Sequence, residues 1–253
     1  MQLIFQRDTA ALSRIIRATI CFLSARWGNV LHWDVNRLTN AKLEEYSNVI
    51  GANSAHRSVF GFIDGTVRKI CRPSFAQRSM YNGHKCFHAL KYQAVVAPDG
   101  IIIHISNAAR GNVHDLTIFD SSRLPGILRD HAWTQNGRRR LAIYGDPAYR
   151  LGAHVLRPYH SHALMPRWQR IFNLNMAKQR VVVEWALGKV VRYFASMDFA
   201  SNQRVLATPL AHHFKVAVLF TNLHTCFYGS QTGKRFKLDS PSAVEYLSVQ
   251  INI

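Results

Sequence analysis

Three acidic residues stand out by type and place. Asp64 closes the apolar run Val59-Phe60-Gly61-Phe62-Ile63, and Asp146 closes Leu141-Ala142-Ile143-Tyr144-Gly145. Glu184 falls within a later stretch of helical periodicity. Acids are scarce, 14 Asp and Glu against 32 Lys and Arg, so a carboxylate repeated at two strand ends carries information. If the two runs are neighbouring strands, Asp64 and Asp146 project at one sheet edge, where α/β sheets gather their chemistry. Three converging carboxylates repel one another unless a divalent cation sits among them, and their hard oxygens suit Mg²⁺ or Mn²⁺. Such ions can activate an attacking oxygen and stabilise a leaving one during phosphodiester cleavage. Taken singly, each acid reads more readily as something plainer. Asp-Gly and Gly-Asp-Pro are common turn sequences, and Glu184 alone fits a solvent-facing helix position. The combination, set in a strongly basic chain, favours the metal-binding reading.

The chain of 253 residues carries a formal charge of +18 and a pI near 10.4. That excess points to a polyanion, with nucleic acid the first expectation. Charge alone separates neither DNA from RNA nor either from an acidic membrane. Lys85, Lys91, Arg180, Lys189 and Arg192 are the cations expected to form a positive surface flanking the acids. Arg180 lies four residues before Glu184, on the same helical face, where it would orient that carboxylate or contact a phosphate. Hydrophobic residues at 48% are enough for a sizeable core and exclude disorder over most of the length. Cys21, Cys71, Cys86 and Cys226 form no CxxC pair, which suits a reducing compartment. A zinc site from Cys71, His84, Cys86 and His88 matches no familiar spacing, and Cys86 and His88 fit alternate residues of one strand.

The elements that must position these groups follow from periodicity. Leu12, Ile15, Ile16, Ile20 and Leu23 recur at helical spacing, which predicts an amphipathic helix over Thr9–Arg26 rather than a signal-peptide core. No stretch is long or apolar enough to span a membrane. A second helix starts near Asn40 and stops at Gly51, a C-cap residue. Strands are expected at Val59–Ile63, His88–Ala97, Ile101–Ser106 and Leu141–Gly145, with a weak one at His154–Pro158. Asp99-Gly100 makes the hairpin turn between the second and third. A short helix covers Asp115–Leu124. A long helix, capped around Asn173-Leu174-Asn175 and running to Phe194, carries an apolar face of Val181, Trp185, Leu187, Gly188, Val191 and Phe194. Further helix covers Leu206–Cys226 and Val244–Val249. Three hairpin-linked strands followed by α/β alternation predict an α/β, ribonuclease-H-like mixed sheet flanked by helices. The expected organisation is a helical N-terminal lead-in (1–57), the catalytic domain (58–228) and a basic tail with a short helix (229–253).

Beyond this pattern, ordered blocks carry a family resemblance. Gly61-Phe62-Ile63-Asp64-Gly65-Thr66, Arg72-Pro73 and Tyr81-Asn82-Gly83-His84-Lys85 resemble the first catalytic block of the PIF/Harbinger superfamily of DDE transposases. Leu90-Lys91-Tyr92-Gln93 and Pro98-Asp99-Gly100 are similar to its second strand and hairpin. Gly111-Asn112-Val113-His114-Asp115 resembles its Gly-x-x-His-Asp block, and Gly145-Asp146-Pro147-Ala148-Tyr149 its second Asp block. Phe172-Asn173 and Arg180-Val181-Val182-Val183-Glu184-Trp185-Ala186-Leu187-Gly188 resemble the block with the catalytic Glu. The likeness runs from about Ser58 to Leu247.

The resemblance implies metal-dependent DNA cleavage and strand transfer, with Asp64, Asp146 and Glu184 as catalytic metal ligands for Mg²⁺ or Mn²⁺. Asp115 is a further motif acid, expected instead to cap the helix that follows it. The implied partners are double-stranded DNA, a separate Myb-like DNA-binding protein and further copies of the chain, and the implied location is the nucleus. Two features depart from the pattern. Arg150 follows Tyr149 where many relatives have Pro. Only 63 residues precede Asp64, without a legible helix-turn-helix, which suggests a shortened copy. The alternative reading is a domesticated, transposase-derived nuclear DNA-binding protein without transposition activity.

Overall fold

The computed structural model describes residues 2–52, 54, 57–205 and 207–247. Its helical start comprises α1 (Gln2–Phe5), α2 (Thr9–Trp27) and α3 (Asn40–Ala52). The Asp8 carboxylate caps α2 by accepting the Ala11 N–H. Gly51 lies inside α3 rather than capping it. Along α2 the apolar stripe is only partly covered, with Ile15 and Ile16 exposed.

The sheet begins with β1 (Val59–Lys69), an 11-residue strand that runs well past Asp64. Next come α4 (Gln77–Met80), β2 (Tyr81–Asn82), β3 (Phe87–Val96), β4 (Ile102–Ile105) and β5 (Ala109–Arg110). Cys86 falls in the turn before β3, not on the strand with His88. Between β3 and β4, Gly100 adopts φ +90°, a left-handed conformation that glycine takes without a Cβ clash. The buried Asp99 carboxylate accepts hydrogen bonds from the Ile101 N–H and the Tyr46 hydroxyl and pairs with Arg37. This turn thereby fastens the helical start to the sheet.

After α5 (Asp115–Ser121) and α6 (Leu124–His131) come β6 (Ala142–Tyr144) and β7 (Val155–Leu156). The expected single helix over 115–124 is thus two, broken at Ser122-Arg123, where the Ser122 hydroxyl accepts the Leu124 N–H. The sheet is mixed and seven-stranded, in the order β2-β3-β1-β6-β7, with β4 and β5 also paired to β3. β1 and β3 are antiparallel, whereas β1, β6 and β7 are parallel. An antiparallel meander joined to parallel strands, with helices packed around it, is the ribonuclease-H-like arrangement.

The long helix α7 (Arg167–Tyr193) starts six residues before Asn173. Asn173 is therefore not a cap. Its side chain bonds both the N–H and the carbonyl of Tyr159, at 2.9 Å each, and pins the segment after β7. The buried face is only partly the expected one: Leu187 is buried and Val181, Trp185 and Phe194 pack at the edge of the core, but Phe172, Met176, Val183, Ala186 and Val190 also point inward, while Gly188 is exposed. Last come α8 (Leu210–Tyr228), α9 (Gln231–Phe236) and α10 (Ala243–Leu247). Leu206 and Val249, the outer limits of two expected helices, lie outside the described residues.

Candidate active site

Strand register places the first two acids. Phe62 on β1 is aligned with Tyr144 on parallel β6. Asp64 and Asp146 each follow two residues later, so they occupy the same level on adjacent chain segments. β6 ends at Tyr144. Asp64, though mid-strand, thus sits where its parallel neighbour stops and side chains gain room. The close packing beneath Asp146 requires Gly145, since a Cβ there would lie 2.5 Å from the Tyr149 ring and 2.9 Å from Ile63 Cγ2. The Asp146 carboxylate accepts the Ala148 N–H at 3.0 Å and shapes the turn.

Helix α7 packs against β1 and β3 and brings the third acid to the same side. Arg180 Nη1 lies 3.0 Å from Asp64 Oδ2, and its Nη2 lies 3.4 Å from Glu184 Oε1. One guanidinium therefore joins two of the three carboxylates. Burial pushes the Asp64 carboxyl above its ordinary value; Arg180 and the Gly65 N–H oppose this, and the charges of Asp146 and Glu184 add to it. Among the described residues no three His, Cys, Asp or Glu side chains are drawn together tightly enough to be a ready metal cage. The donors are nonetheless hard oxygens, and an arginine already supplies positive charge between two of them.

Asp64 and Asp146 line a groove of about 750 Å³ together with Lys85, Lys91, His114 and Asp115. Asp115 was not expected there. His114, not Asp115, holds the N-cap position of α5, and no side chain caps that end. The Asp115 carboxylate instead pairs with Lys91 Nζ at 2.7 Å and lies against Gly65, the residue after Asp64. Lys91 is 7% exposed and also donates to the Val113 carbonyl, so its charge is spent inside the protein rather than on an open positive surface. Tyr149 is a second residue that sequence reasoning missed. Its hydroxyl is buried without a partner among the described residues, and burial together with Asp115, Asp64 and Asp146 holds its proton. The signal was present: Tyr149 stands three residues after Asp146, inside the same block. Of the other cations, Lys85 is exposed on the groove, whereas Lys189 and Arg192 line a separate cleft.

A family model described as "DDE superfamily endonuclease" matches residues 63–222, more than half of the chain. The chain belongs to the DDE superfamily endonuclease family. The curated proteins and the solved structures show no significant match. The family assignment makes this a transposase-like nuclease fold, and the matched span includes all three acids, Asp115, Tyr149 and Arg180. In this family member the antiparallel meander carries Asp64, the turn after β6 carries Asp146, and the long helix carries Glu184 with its arginine.

Proposed function

We propose that the chain is the catalytic part of a PIF/Harbinger-type transposase, acting in the nucleus on double-stranded DNA. It would hydrolyse phosphodiester bonds at transposon ends and join the freed 3′ ends to target DNA. Sequence selection falls to a Myb-like partner protein and the assembly to further copies of the chain. Asp64, Asp146 and Glu184 would hold Mg²⁺ or Mn²⁺. Those ions, when bound, lower the pKa of water and stabilise the leaving oxygen.

The observation that carries this reading is one guanidinium joining two of the acids, with the third level with one of them on the adjoining segment. Asp64 and Glu184 share the Arg180 guanidinium, and Asp146 stands level with Asp64 on the adjoining segment. Arg180 limits carboxylate repulsion in the metal-free protein. Asp115 keeps the Lys91 charge internal, while Lys85 lies on the open groove where a DNA phosphate would pass.

Glu184→Gln tests the reading. Glu184 is 56% exposed at its side chain, so the substitution should leave the fold and DNA affinity nearly unchanged. Strand cleavage with Mg²⁺ or Mn²⁺ should fall by several orders of magnitude. Cleavage by the variant as fast as by the parent, with any partner protein supplied to both, would remove Glu184 from the catalytic set.

A further inference from the structure

A second cleft, of about 590 Å³, lies between the C-terminal half of α7, the end of α8 and the start of α9. Three rings follow one another along its wall. Tyr193 and His224 have centroids 4.5 Å apart, and His224 and Tyr228 have centroids 4.7 Å apart. The ladder ends in the open, since Tyr228 is 75% exposed. The rings are tilted to one another, by 37° and 45°, and an exposed aromatic ring such as Tyr228 gains from a further flat partner.

The charges beside the ladder are of one sign. Lys189, Arg192 and Lys234 line the cleft, and no carboxylate does so among the described residues. Lys189 Nζ is held by the Thr225 hydroxyl at 2.9 Å and lies 5.5 Å from the Tyr193 ring centroid. Burial lowers its ammonium below the ordinary pKa. Flat rings beside unneutralised cations suit a ligand with both π-faces and phosphates. In a duplex the base faces are already stacked on each other; in an unpaired strand they are free. A volume within the roughly 300–1,000 Å³ of small-ligand sites is large enough to seat such a base.

We propose that this cleft binds unpaired nucleotides of a DNA strand, with Tyr228 stacking a base and Lys189, Arg192 and Lys234 taking phosphates. The inference rests on the DNA-acting reading above and extends it. On the α7 wall of the cleft, Lys189 and Arg192 lie about 8–12 Å further along the helix from Glu184, at 1.5 Å per residue, while Tyr228 and Lys234 come from α8 and α9. A strand end frayed or released at the acids would be held there, away from its complement.

The test is metal-free binding of oligonucleotides carrying 2-aminopurine, single-stranded or as a blunt duplex of equal length. The full chain should quench the single strand on binding and leave the duplex signal nearly unchanged. Tyr228→Ala should weaken single-strand binding about five- to 100-fold and abolish the quench, with duplex affinity kept. Tyr228→Trp should restore both, a rescue that loss of a merely structural ring would not give. Arg192→Ala and Lys234→Ala should each flatten the salt dependence of single-strand binding by about 0.7 in log–log slope. Equal quenching of duplex and single strand, unchanged single-strand binding by Tyr228→Ala, or equal competition by inorganic polyphosphate would overturn the proposal. A parallel Mg²⁺ cleavage assay separates the two readings. Cleavage without the single-strand quench overturns the cleft alone, and a quench without cleavage under any metal overturns the nuclease reading alone.

Discussion

Arg180 is the residue on which the acidic site turns. Its guanidinium touches Asp64 and Glu184, with side chains 25%, 20% and 56% exposed. Replacing it with Ala leaves the half-buried Asp64 without its nearest positive charge. We expect Arg180→Ala to destabilise the metal-free protein at pH 7 by about 1–2 kcal/mol, between the values for exposed and buried pairs. Burial and neighbouring acids already raise the Asp64 pKa, and losing Arg180 raises it further. A raised carboxyl pKa means the folded form holds its proton more tightly. The deficit is therefore absent below the ordinary carboxyl range and grows as pH rises through the folded pKa. Thermal melts from pH 3.5 to 7 check this sign. On the proposed reading, added Mg²⁺ should raise the melting temperature of Arg180→Ala more than that of the parent, because no guanidinium competes for the carboxylates.

The elements are fastened to one another by a few polar ties placed at the site. Lys91 of β3 and Asp115 of α5 form a pair with side chains 9% and 28% exposed, and the Gln93 side chain of β3 donates to the Asp115 carbonyl. Asp115→Ala would strand the Lys91 ammonium, for a loss of about 3 kcal/mol by urea unfolding. The double replacement Lys91→Met with Asp115→Leu should recover most of it, since neither charge then remains buried. These ties also explain what the sequence could and could not tell. Strand runs, the hairpin at Asp99-Gly100 and helix α7 were legible because their hydrophobic period is local. The role of Asp115 was not, because its partner Lys91 is chosen by strand pairing rather than by neighbours in the chain. The buried face of α7 was only partly legible for a related reason. Leu187 is buried and Trp185 packs at the edge of the core as their types suggest, yet Met176, Val183, Ala186 and Val190 carry the deeper face, chosen by docking on the sheet. Asp64 and Asp146 were found as candidates from strand ends, although β1 continues beyond Asp64; the level where β6 stops is a property of the pair.

At the scale of the whole molecule, charge and buried histidines set the response to solution conditions. On the proposed DNA-acting reading, a chain of +18 should lose DNA affinity steeply and linearly on a log–log plot against salt. A flat dependence in titrations between 50 and 200 mM salt, on the order used for such measurements, would count against phosphate contacts. His32 and His104 face each other where the helical start meets β4, and Lys215 Nζ lies 3.0 Å from His32 Nε2. Burial first, then the neighbouring positive charges, lower His32 to about 4, and burial lowers His104 to about 3 with His32 and Lys215 adding to it. The unfolded chain gains these protons near pH 6.5 and the folded chain does not, so stability is full above that value and falls as pH drops. The slope due to His104 should rise from about half of 1.4 kcal/mol per pH unit at pH 6.5 towards about 1.4 near pH 5, and His104→Gln should remove it in thermal or urea melts.

The turn at Asp99-Gly100 bears on how the protein is made. Asp99 receives the Tyr46 hydroxyl across 53 residues of chain, and its carbonyl receives the Ser230 hydroxyl across 131. Both closures converge on the β3–β4 hairpin, so a ribosome must deliver residue 230 before that bend can acquire all its bonds. The nascent chain would therefore carry this hairpin through most of its synthesis with the β4 edge at Ile102 lacking its Asn222 partner and open to other strands. Shortening the chain at either end should cost soluble yield long before it touches the acids.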